Sequence, residues 1–287
     1  MGARLLVIGA SGLVGSALVR AGRDRGMDVV GAARRVRGDA TLAVDLCDPA
    51  AVERVVDTVC PDVVVIASAW PWVDGCERDP ARSLRENVGT VENVIRAAGR
   101  ARVVYFSTDH VFDGARVTYV ETDAPGPLNV YARHKRASEE LLLARAESLV
   151  VRTSWVFGPE EDGKNFVYQV VRAARAGQGM RVPRGQAGCP TASDFLAETT
   201  LALLAEGMDG VVHVAGDALY TKAAWAAEIA GALGLGALPV EEVDADPTAH
   251  VAPRPEQVRL ATVRHGARQG DVRTHLGRMR AWFIGDR

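Results

Sequence analysis

Residues 4–25 read RLLVIGASGLVGSALVRAGRDR and combine an apolar run, a glycine-rich turn and an amphipathic segment. The run Leu5–Ile8 is short and wholly apolar, which predicts a strand buried on both faces of a sheet. The apolar residues that follow Gly15 recur with helical spacing and predict a helix that ends near Arg25. This part of the chain is therefore predicted to form a strand, a tight turn and a helix.

The turn between this strand and this helix carries three glycines in a GxxGxxG pattern. Glycines at this spacing permit a sharp turn and let backbone amides approach a pyrophosphate closely. The free N–H groups at the helix N-terminus also favour a bound phosphate. A glycine-rich turn without a ligand is the alternative, which the strand–turn–helix setting makes the weaker one. We predict that a dinucleotide contacts Gly9, Ser11, Gly12, Leu13, Val14 and Gly15.

Apolar strands alternate with amphipathic helices along the following residues. Strands are predicted at residues 28–33, 41–44, 62–67, 103–107 and 149–153, and helices at 49–60, 82–100 and 128–147. Such alternation is typical of a parallel sheet whose crossover helices cover its faces. The predicted fold is α/β, a Rossmann-type doubly wound parallel sheet with helices on both faces and a smaller C-terminal α/β substrate lobe.

The later part of the chain continues the mixture of helices and strands. Helices are predicted at residues 165–176, 192–206, 221–233 and 273–282, and strands at 180–183 and 211–214. No linker of distinct composition separates two halves. We assign residues 1–155 to the cofactor domain and residues 156–287 mainly to the lobe. Residues from about 185 to 220 are expected to return to the cofactor domain, so the two parts interleave.

The predicted second strand is followed by two arginines, Arg34 and Arg35. They stand where an acidic residue would bind the ribose 2′-hydroxyl of NAD. A guanidinium suits a 2′-phosphate instead, so NADP(H) is favoured over NAD(H). A solvated basic turn is the alternative interpretation. Further cofactor contacts are predicted where the third and fourth strands end, at Asp45, Leu46, Ala67, Ser68 and Ala69.

A helix that follows the fifth predicted strand carries Tyr131 and Lys135, one turn apart on the same face. A phenol is too weak an acid for efficient proton transfer near neutral pH, and a nearby ammonium lowers its pKa. Thr108, at the end of the strand, can bind the same substrate oxygen. The three side chains could protonate a ketone that accepts a hydride. A solvated tyrosine and lysine pair is the alternative, since this spacing alone is a weak signal.

Composition excludes several classes of protein. Of the 287 residues, 48% are hydrophobic and 24% charged, and the formal net charge is −2, which favours a globular protein without a nucleic-acid partner. No apolar run is long enough for a transmembrane helix, and no signal-peptide pattern stands at the N-terminus, so a cytoplasmic location is expected. No metal site is predicted, because the cysteines lack ligand spacing and suit a reducing compartment. These cysteines are Cys47, Cys60, Cys76 and Cys189.

Further sequence motifs are shared with a known superfamily, and together with the motifs above they cover most of the chain to about residue 220. They are Val73-Asp74, Ser107-Thr-Asp-His-Val-Phe-Asp-Gly114, Pro127-Leu-Asn-Val-Tyr131, Arg152-Thr-Ser-Trp155, Asn165-Phe-Val167 and Pro190-Thr191. Together with the glycine pattern and Lys135, they resemble the extended short-chain dehydrogenase/reductases. Within that superfamily the chain is most similar to the dTDP-4-dehydrorhamnose reductase branch.

The resemblance implies reduction of a nucleotide-activated 4-keto-6-deoxy sugar by NADPH. Tyr131 would then donate a proton to the new alkoxide, Thr108 would hold the carbonyl oxygen, and Lys135 would lower the pKa of Tyr131 and bind the nicotinamide ribose. Asn87 is a weaker match, either near the cofactor or in a structural or proton-relay role. The substrate is expected to contact Trp70, Trp72, Val73, Thr108, Asp109, Trp155 and Asn165. A homodimer is a reasonable expectation.

The chain departs from the branch at Trp70-Pro71-Trp72, where a small hydroxyl residue is usual, at His110 and at His134. Two other functions therefore stay open at this point. The fold and several motifs also resemble the non-catalytic regulatory β subunit of methionine adenosyltransferase. A sugar-nucleotide C4-epimerase would use much the same Tyr131 and Lys135, whereas a dehydratase is disfavoured because His110 replaces the glutamate that such enzymes use.

Overall fold

The strands lie close to the positions predicted from the apolar runs. The computed structural model describes residues 3–244 and 251–284. Within them the strands are β1 (Arg4–Ile8), β2 (Asp28–Ala33), β3 (Leu42–Ala43), β4 (Val63–Ile66), β5 (Arg102–Thr108), β6 (Thr118–Tyr119), β7 (Ser148–Thr153), β8 (Val156–Phe157), β9 (Met180–Pro183), β10 (Ala187–Gly188), β11 (Thr191–Ala192), β12 (Gly210–His213), β13 (Tyr220–Thr221), β14 (Val240–Val243) and β15 (Arg259–Leu260).

The helices also follow the predicted spans. They are α1 (Leu13–Asp24), α2 (Pro49–Val59), α3 (Val73–Arg78), α4 (Pro80–Leu84), α5 (Thr90–Ala97), α6 (Val130–Leu143), α7 (Phe166–Arg175), α8 (Ser193–Ala205), α9 (Lys222–Leu233) and α10 (Val272–Ile284). Within the residues described, no helix is both long and apolar enough to cross a membrane.

Seven strands form one parallel sheet in the order β12-β7-β5-β4-β1-β2-β3. Strand β1 lies inside the sheet, where Leu5 pairs with Val29 on one side and with Val63 on the other. The strand order reverses between β1 and β4, and such a switch point opens a crevice at the carboxyl ends of the strands. The predicted doubly wound parallel sheet is confirmed.

The sheet has an apolar core on each face, because successive side chains of a strand point to opposite sides. Leu5 and Val7 contribute to the core beneath α1 and α8. Leu6 and Ile8 contribute to the opposite core, with residues of α2, α5 and α6. Four consecutive apolar residues of β1 are therefore buried, as the continuous run predicted.

The helix predicted over residues 82–100 is interrupted. The chain forms α4, then a π-helical turn at Arg85–Gly89, then α5. A π-helical turn adds a residue to the helical repeat and is frequent beside functional sites. Here it carries Asn87, whose side chain bonds the loop that follows β4.

The segment after β7 builds a smaller group of elements and then rejoins the sheet. Helices α7, α9 and α10 share a core that includes the buried residues Phe157, Val170, Trp225, Ile229 and Leu276. By contrast, α8 packs against α1, and β12 pairs with β7 in the central sheet. The division of the chain into two domains stays a prediction.

Candidate active site

A cleft of about 760 Å³ opens at the switch point between β1 and β4. It joins the glycine-rich turn after β1, the ends of β2, β4 and β5, the start of α6, and the loop that precedes α7. Predicted site residues on its wall are Gly9, Ser11, Gly12, Leu13, Val14, Arg34, Leu46, Ala67, Ser68, Ala69, Trp70, Tyr131, Lys135 and Asn165. Its volume lies in the range of small-molecule sites, and the site predicted from two separate motifs forms one continuous cavity.

The glycine-rich turn has no room for side chains at its first and last glycines. A Cβ on Gly9 would lie 2.7 Å from the Ala67 carbonyl oxygen, and one on Gly15 would lie 2.1 Å from the Gly9 carbonyl oxygen. Gly9 also has a φ of +92°, which favours glycine. Gly15 does not line the cleft. In this structure it allows α1 to pack closely on the turn.

The N-terminus of α1 is free to bind an anion. Gly12 caps the helix without a side-chain hydrogen bond, and the first turn contains no acidic residue. The positive end of the helix dipole and its unpaired amides therefore face the cleft without competition from the protein's own carboxylates. This arrangement fits the pyrophosphate of a dinucleotide.

The basic turn after β2 contributes Arg34 and Arg37 to the cleft, whereas Arg35 does not line it. Arg37 makes a bidentate ion pair with Asp162, at 2.6 and 3.0 Å, which joins this turn to the loop before α7. Arg34 lies 3.8 Å from Glu86. Arg34 and Arg37 thus lie on the cleft wall, because the turn faces the cleft with its first and fourth residues, whereas the predicted contact of Arg35 with the cofactor stays a prediction.

Asp45 does not line the cleft, unlike the residues on either side of it. It is exposed, and its Oδ1 accepts a hydrogen bond from Cys47 N at 3.0 Å, which shapes the turn before α2. Val44 and Leu46 are buried and contribute apolar surface to the cleft instead. This part of the cleft wall is therefore apolar, and the contact predicted at Asp45 stays a prediction.

Three predicted catalytic side chains gather where β5 meets α6. Asn129 caps α6 by accepting a hydrogen bond from Ala132 N at 2.8 Å, so Tyr131 and Lys135 lie on its first two turns. The Lys135 ammonium is buried and donates to the Phe106 carbonyl oxygen at 2.6 Å. Thr108 ends β5, and its hydroxyl lies close enough to the Tyr131 phenol to lower its pKa.

The protonation of Tyr131 is set mainly by its burial. Burial raises the pKa of Tyr131 well above its ordinary value, and the charge of Asp109 raises it further. Burial also lowers the pKa of Lys135 to about 7, while Glu139 opposes that shift. Desolvation is the largest effect on the pKa of Tyr131, and the expectation that Lys135 lowers this pKa stays a prediction. Tyr131 therefore carries its proton at neutral pH, as a proton donor must.

The loop after β4 is fixed by Asn87. Its Oδ1 accepts from Trp70 N at 2.8 Å, and its Nδ2 donates to the Trp70 carbonyl oxygen at 3.2 Å. Asn87 is buried and does not line the cleft, which favours the structural alternative of its prediction. Trp70 and Pro71 line the cleft, whereas Trp72 and Val73 lie outside it and Trp72 is half exposed.

Asp109 and Trp155 lie beyond Tyr131, away from the glycine-rich turn. Asp109 is buried and accepts hydrogen bonds from Ser154 Oγ at 2.6 Å and from Thr108 Oγ1 at 3.1 Å. Trp155 has a φ of +42°, which is rare for a bulky residue and is found at functional sites. Its indole covers Gly188, where a Cβ would lie 2.5 Å from the ring.

An ion pair closes this end of the site. Arg254 donates to Asp74 Oδ2 at 2.6 Å and to Asp74 Oδ1 at 3.2 Å, and Ala252 N donates to the same Oδ1. Asp74 opens α3, while Arg254 lies on a segment 180 residues later that packs beside the start of α6. The pair joins the Val73-Asp74 motif to the C-terminal part of the chain.

Several residues that line the cleft were not predicted from the sequence. They are Ile8, Ala33, Arg37, Val44, Pro71, Arg82, Glu86, Thr90, Phe106, Ser107, Thr153, Val156, Glu160 and Lys164. For Phe106 and Ser107 a signal existed, since they end the strand that also carries Thr108. No local pattern pointed to Glu160 and Lys164, because only the tertiary fold brings their loop to the cleft.

A doubly wound sheet with a glycine-rich turn at its switch point and a YxxxK helix beside it defines an extended short-chain dehydrogenase/reductase. The chain matches the family described as the RmlD substrate binding domain over residues 3–278. A dTDP-4-dehydrorhamnose reductase of Mycobacterium tuberculosis strain H37Rv is 37% identical over 229 residues, which cover 76% of this chain and 72% of that protein. The chain therefore belongs to the dTDP-4-dehydrorhamnose reductase (RmlD) family.

Two solved structures show how far the fold extends beyond that family. A dTDP-4-dehydrorhamnose reductase of Bacillus anthracis, in complex with NADP, has a TM-score of 0.85 at 25% identity over 99% of both chains. A UDP-glucose 4-epimerase of Thermotoga maritima, with UDP-glucose, has a TM-score of 0.86 at 18% identity over 98% of both chains. The second likeness shows the fold alone. The sequence relatives thus favour the reductase over the epimerase and regulatory-subunit hypotheses.

Proposed function

We propose that the protein reduces the C4 ketone of a nucleotide-activated 4-keto-6-deoxy sugar, with dTDP as the nucleotide. The observation that carries this proposal is the geometry of the buried Tyr131, which lies one helical turn from Lys135 and close to Thr108, on the wall of the cleft that also holds the uncapped N-terminus of α1. When bound, the nicotinamide of NADPH would supply the hydride to the carbonyl carbon. The side chains of this chain would bind and protonate the carbonyl oxygen.

Each side chain of the trio has a separate task. Tyr131 donates its phenolic proton to the oxygen that gains negative charge during reduction. Thr108 would donate a hydrogen bond to the same oxygen when its hydroxyl turns from Asp109, to which it donates in this structure, toward the substrate. Lys135 has two donors left after its hydrogen bond to Phe106, and these suit the hydroxyl groups of a ribose. In its protonated form, Lys135 also stabilises the phenolate that proton transfer leaves behind.

The residues around the cleft support NADP(H) as the cofactor. The pyrophosphate suits the uncapped start of α1, and the 2′-phosphate suits the guanidinium groups of Arg34 and Arg37. Equilibrium binding of NADPH and NADH, read by quenching of tryptophan fluorescence, tests this assignment. Arg34→Ala and Arg37→Ala should each weaken NADPH binding by about tenfold and leave NADH binding unchanged, whereas Arg35→Ala should change neither. Equal effects on both cofactors would contradict the assignment.

The experiment that tests the reaction follows NADPH oxidation by the full chain with dTDP-4-dehydrorhamnose. Steady loss of NADPH, with formation of a dTDP-6-deoxyhexose that mass spectrometry detects, is the expected result. A UDP-linked 4-keto sugar serves as the control for the nucleotide. Absence of turnover from protein that binds NADPH would contradict the proposal. A cytoplasmic location and a homodimer stay predictions.

A further inference from the structure

Lysine is rare in this chain and is confined to the neighbourhood of the site. Of the 34 residues that are Lys or Arg, only Lys135, Lys164 and Lys222 are lysines. The first two line the cofactor cleft. Lys222 does not line it, and neither the family motifs nor the proposed reaction gives it a role. Its surroundings nevertheless resemble a binding site more than a solvated surface.

The Lys222 ammonium rests on two aromatic rings. It lies 3.7 Å from the centroid of the Trp155 ring and 4.5 Å from that of the Phe166 ring. Such contacts hold a cation in place and replace part of its hydration. Burial accordingly lowers the pKa of Lys222 to about 8. Among the residues that the structure describes, no carboxylate lies within ion-pairing distance of this ammonium.

The neighbours of Lys222 place it at the substrate end of the site. The charges of Asp109 and Arg254 both act on its ammonium, and the same two charges act on His110. The His110 ring meets the Tyr131 ring edge to face, with 6.1 Å between their centroids. These groups therefore surround the space beyond the Tyr131 phenol.

The polar groups around this space are not equally satisfied. Arg254 is paired with Asp74, and Asp109 accepts hydrogen bonds from Ser154 and Thr108 while it keeps its negative charge. Lys222 has no ion-pair partner within the described residues, although the charge of Asp109 acts on it. The buried Nδ1 of His110 also finds no hydrogen-bond partner within the described part of the chain. A half-buried ammonium without an ion pair and an unsatisfied ring nitrogen together indicate that this space takes a polar ligand, and the ammonium favours one with an anionic group.

We propose that Lys222, seated on Trp155, binds the diphosphate of the sugar nucleotide; this inference rests on the proposed function. C1 and C4 lie on opposite sides of a hexose ring, so a substrate whose C4 ketone meets Tyr131 directs its C1 diphosphate away from that phenol. Lys222 offers that diphosphate a cation without an ion-pair partner among the described residues. Trp155 seats the ammonium.

The test compares Lys222→Met with Arg181→Met, since methionine keeps the apolar stem and removes the charge, and Arg181 is an exposed cation of β9 that does not line the cleft. Isothermal titration of each NADPH-loaded protein with dTDP and with thymidine separates phosphate binding from base binding. Loss of a charged hydrogen bond should weaken dTDP binding by about 10- to 100-fold in Lys222→Met. Arg181→Met should bind dTDP as the wild type does. Thymidine binding should be the same in all three proteins.

Steady-state kinetics give a second readout. In Lys222→Met the KM for dTDP-4-dehydrorhamnose should rise by about the same factor, while kcat stays within a few-fold. Lys222→Arg, which keeps the positive charge, should restore most of the affinity. Wild-type affinity for dTDP in Lys222→Met would overturn the inference and leave the reaction intact, as would an equal loss of thymidine binding. Failure of the wild type to bind dTDP and to turn over the substrate would overturn the proposed function as well.

Discussion

The inner face of α6 carries two buried polar clusters that differ in how completely they are paired. Tyr131, Lys135 and Glu139 follow one another at single-turn spacing on this face. At one end, Glu139 accepts from Arg152 Nε at 2.9 Å and from Arg152 Nη2 at 2.7 Å. At the other end, Lys135 has one acceptor, the Phe106 carbonyl oxygen, among the described residues. The paired end stabilises the fold, and the underpaired end faces the cleft and has capacity for a ligand.

The largest expected effect is on catalysis, at the Tyr131 end of this face of α6. Tyr131→Phe removes the proposed proton donor, so kcat should fall by about 1000-fold or more while the melting temperature changes little. Stopped-flow or steady-state NADPH oxidation measures the first quantity, and thermal unfolding by circular dichroism measures the second. Tyr119→Phe is the matched control, because its hydroxyl donates to Asp113 away from the cleft. Turnover of Tyr131→Phe within a few-fold of the wild type would remove Tyr131 from the mechanism.

The second-largest expected effect is a loss of stability when the ion pair of Glu139 with Arg152 is broken. Glu139→Gln leaves the buried guanidinium of Arg152 without its counter-charge, and the free energy of unfolding should fall by about 3 kcal/mol. Urea denaturation measures the loss. Glu140→Gln is the control on the adjacent position, since the Glu140 side chain is 61% exposed and its ion pair with Arg136 should contribute less than about 0.5 kcal/mol. Similar losses in both variants would contradict the claim that pairing at Glu139 holds the helix.

Lys135 should make the free energy of unfolding depend on pH, with an effect of intermediate size. Its folded pKa, about 7, lies below the ordinary value of a lysine. Between these two pKa values the unfolded chain binds the proton that the folded protein has released, so this group makes stability rise as pH rises above about 7. Relative to Lys135→Met, the wild type should gain about 1 kcal/mol in unfolding free energy per pH unit from pH 7 to pH 9. A difference that does not change with pH would show that Lys135 stays charged when folded.

Local periodicity explains why so much of the fold and of the cofactor site could be predicted. The run Leu5–Ile8, the three glycines after it, and the spacing of Tyr131 and Lys135 each encode their structure within a few residues. The sheet order then follows from the alternation of strands and helices. These features concern neighbours along the chain, for which periodicity and turn chemistry are direct signals.

The substrate end could not be predicted in the same way, because distant segments build it. Lys222 meets Trp155 across 67 positions of sequence, and Arg254 meets Asp74 across 180. No spacing rule links such residues, and the two-residue strands that bring them together have no apolar pattern of their own. For the same reason, the sequence could not link Arg37 to its partner Asp162, which lies 125 positions later in the loop before α7. Long-range ion pairs and ring contacts require the folded chain.

The smallest expected effect concerns Asn87, which is fully paired yet adjoins the cleft. Asn87→Ala removes both hydrogen bonds to the Trp70 backbone, so the loop after β4 should become looser. The free energy of unfolding should fall by about 1 kcal/mol, and the Kd for NADPH should rise about threefold. Ser83→Ala is the control, because Ser83 Oγ bonds Asn87 Nδ2 and His134 Nδ1 but not Trp70. It should lose similar stability and keep its affinity for NADPH. If both variants lose stability and affinity in parallel, Asn87 acts through general stability and does not position Trp70.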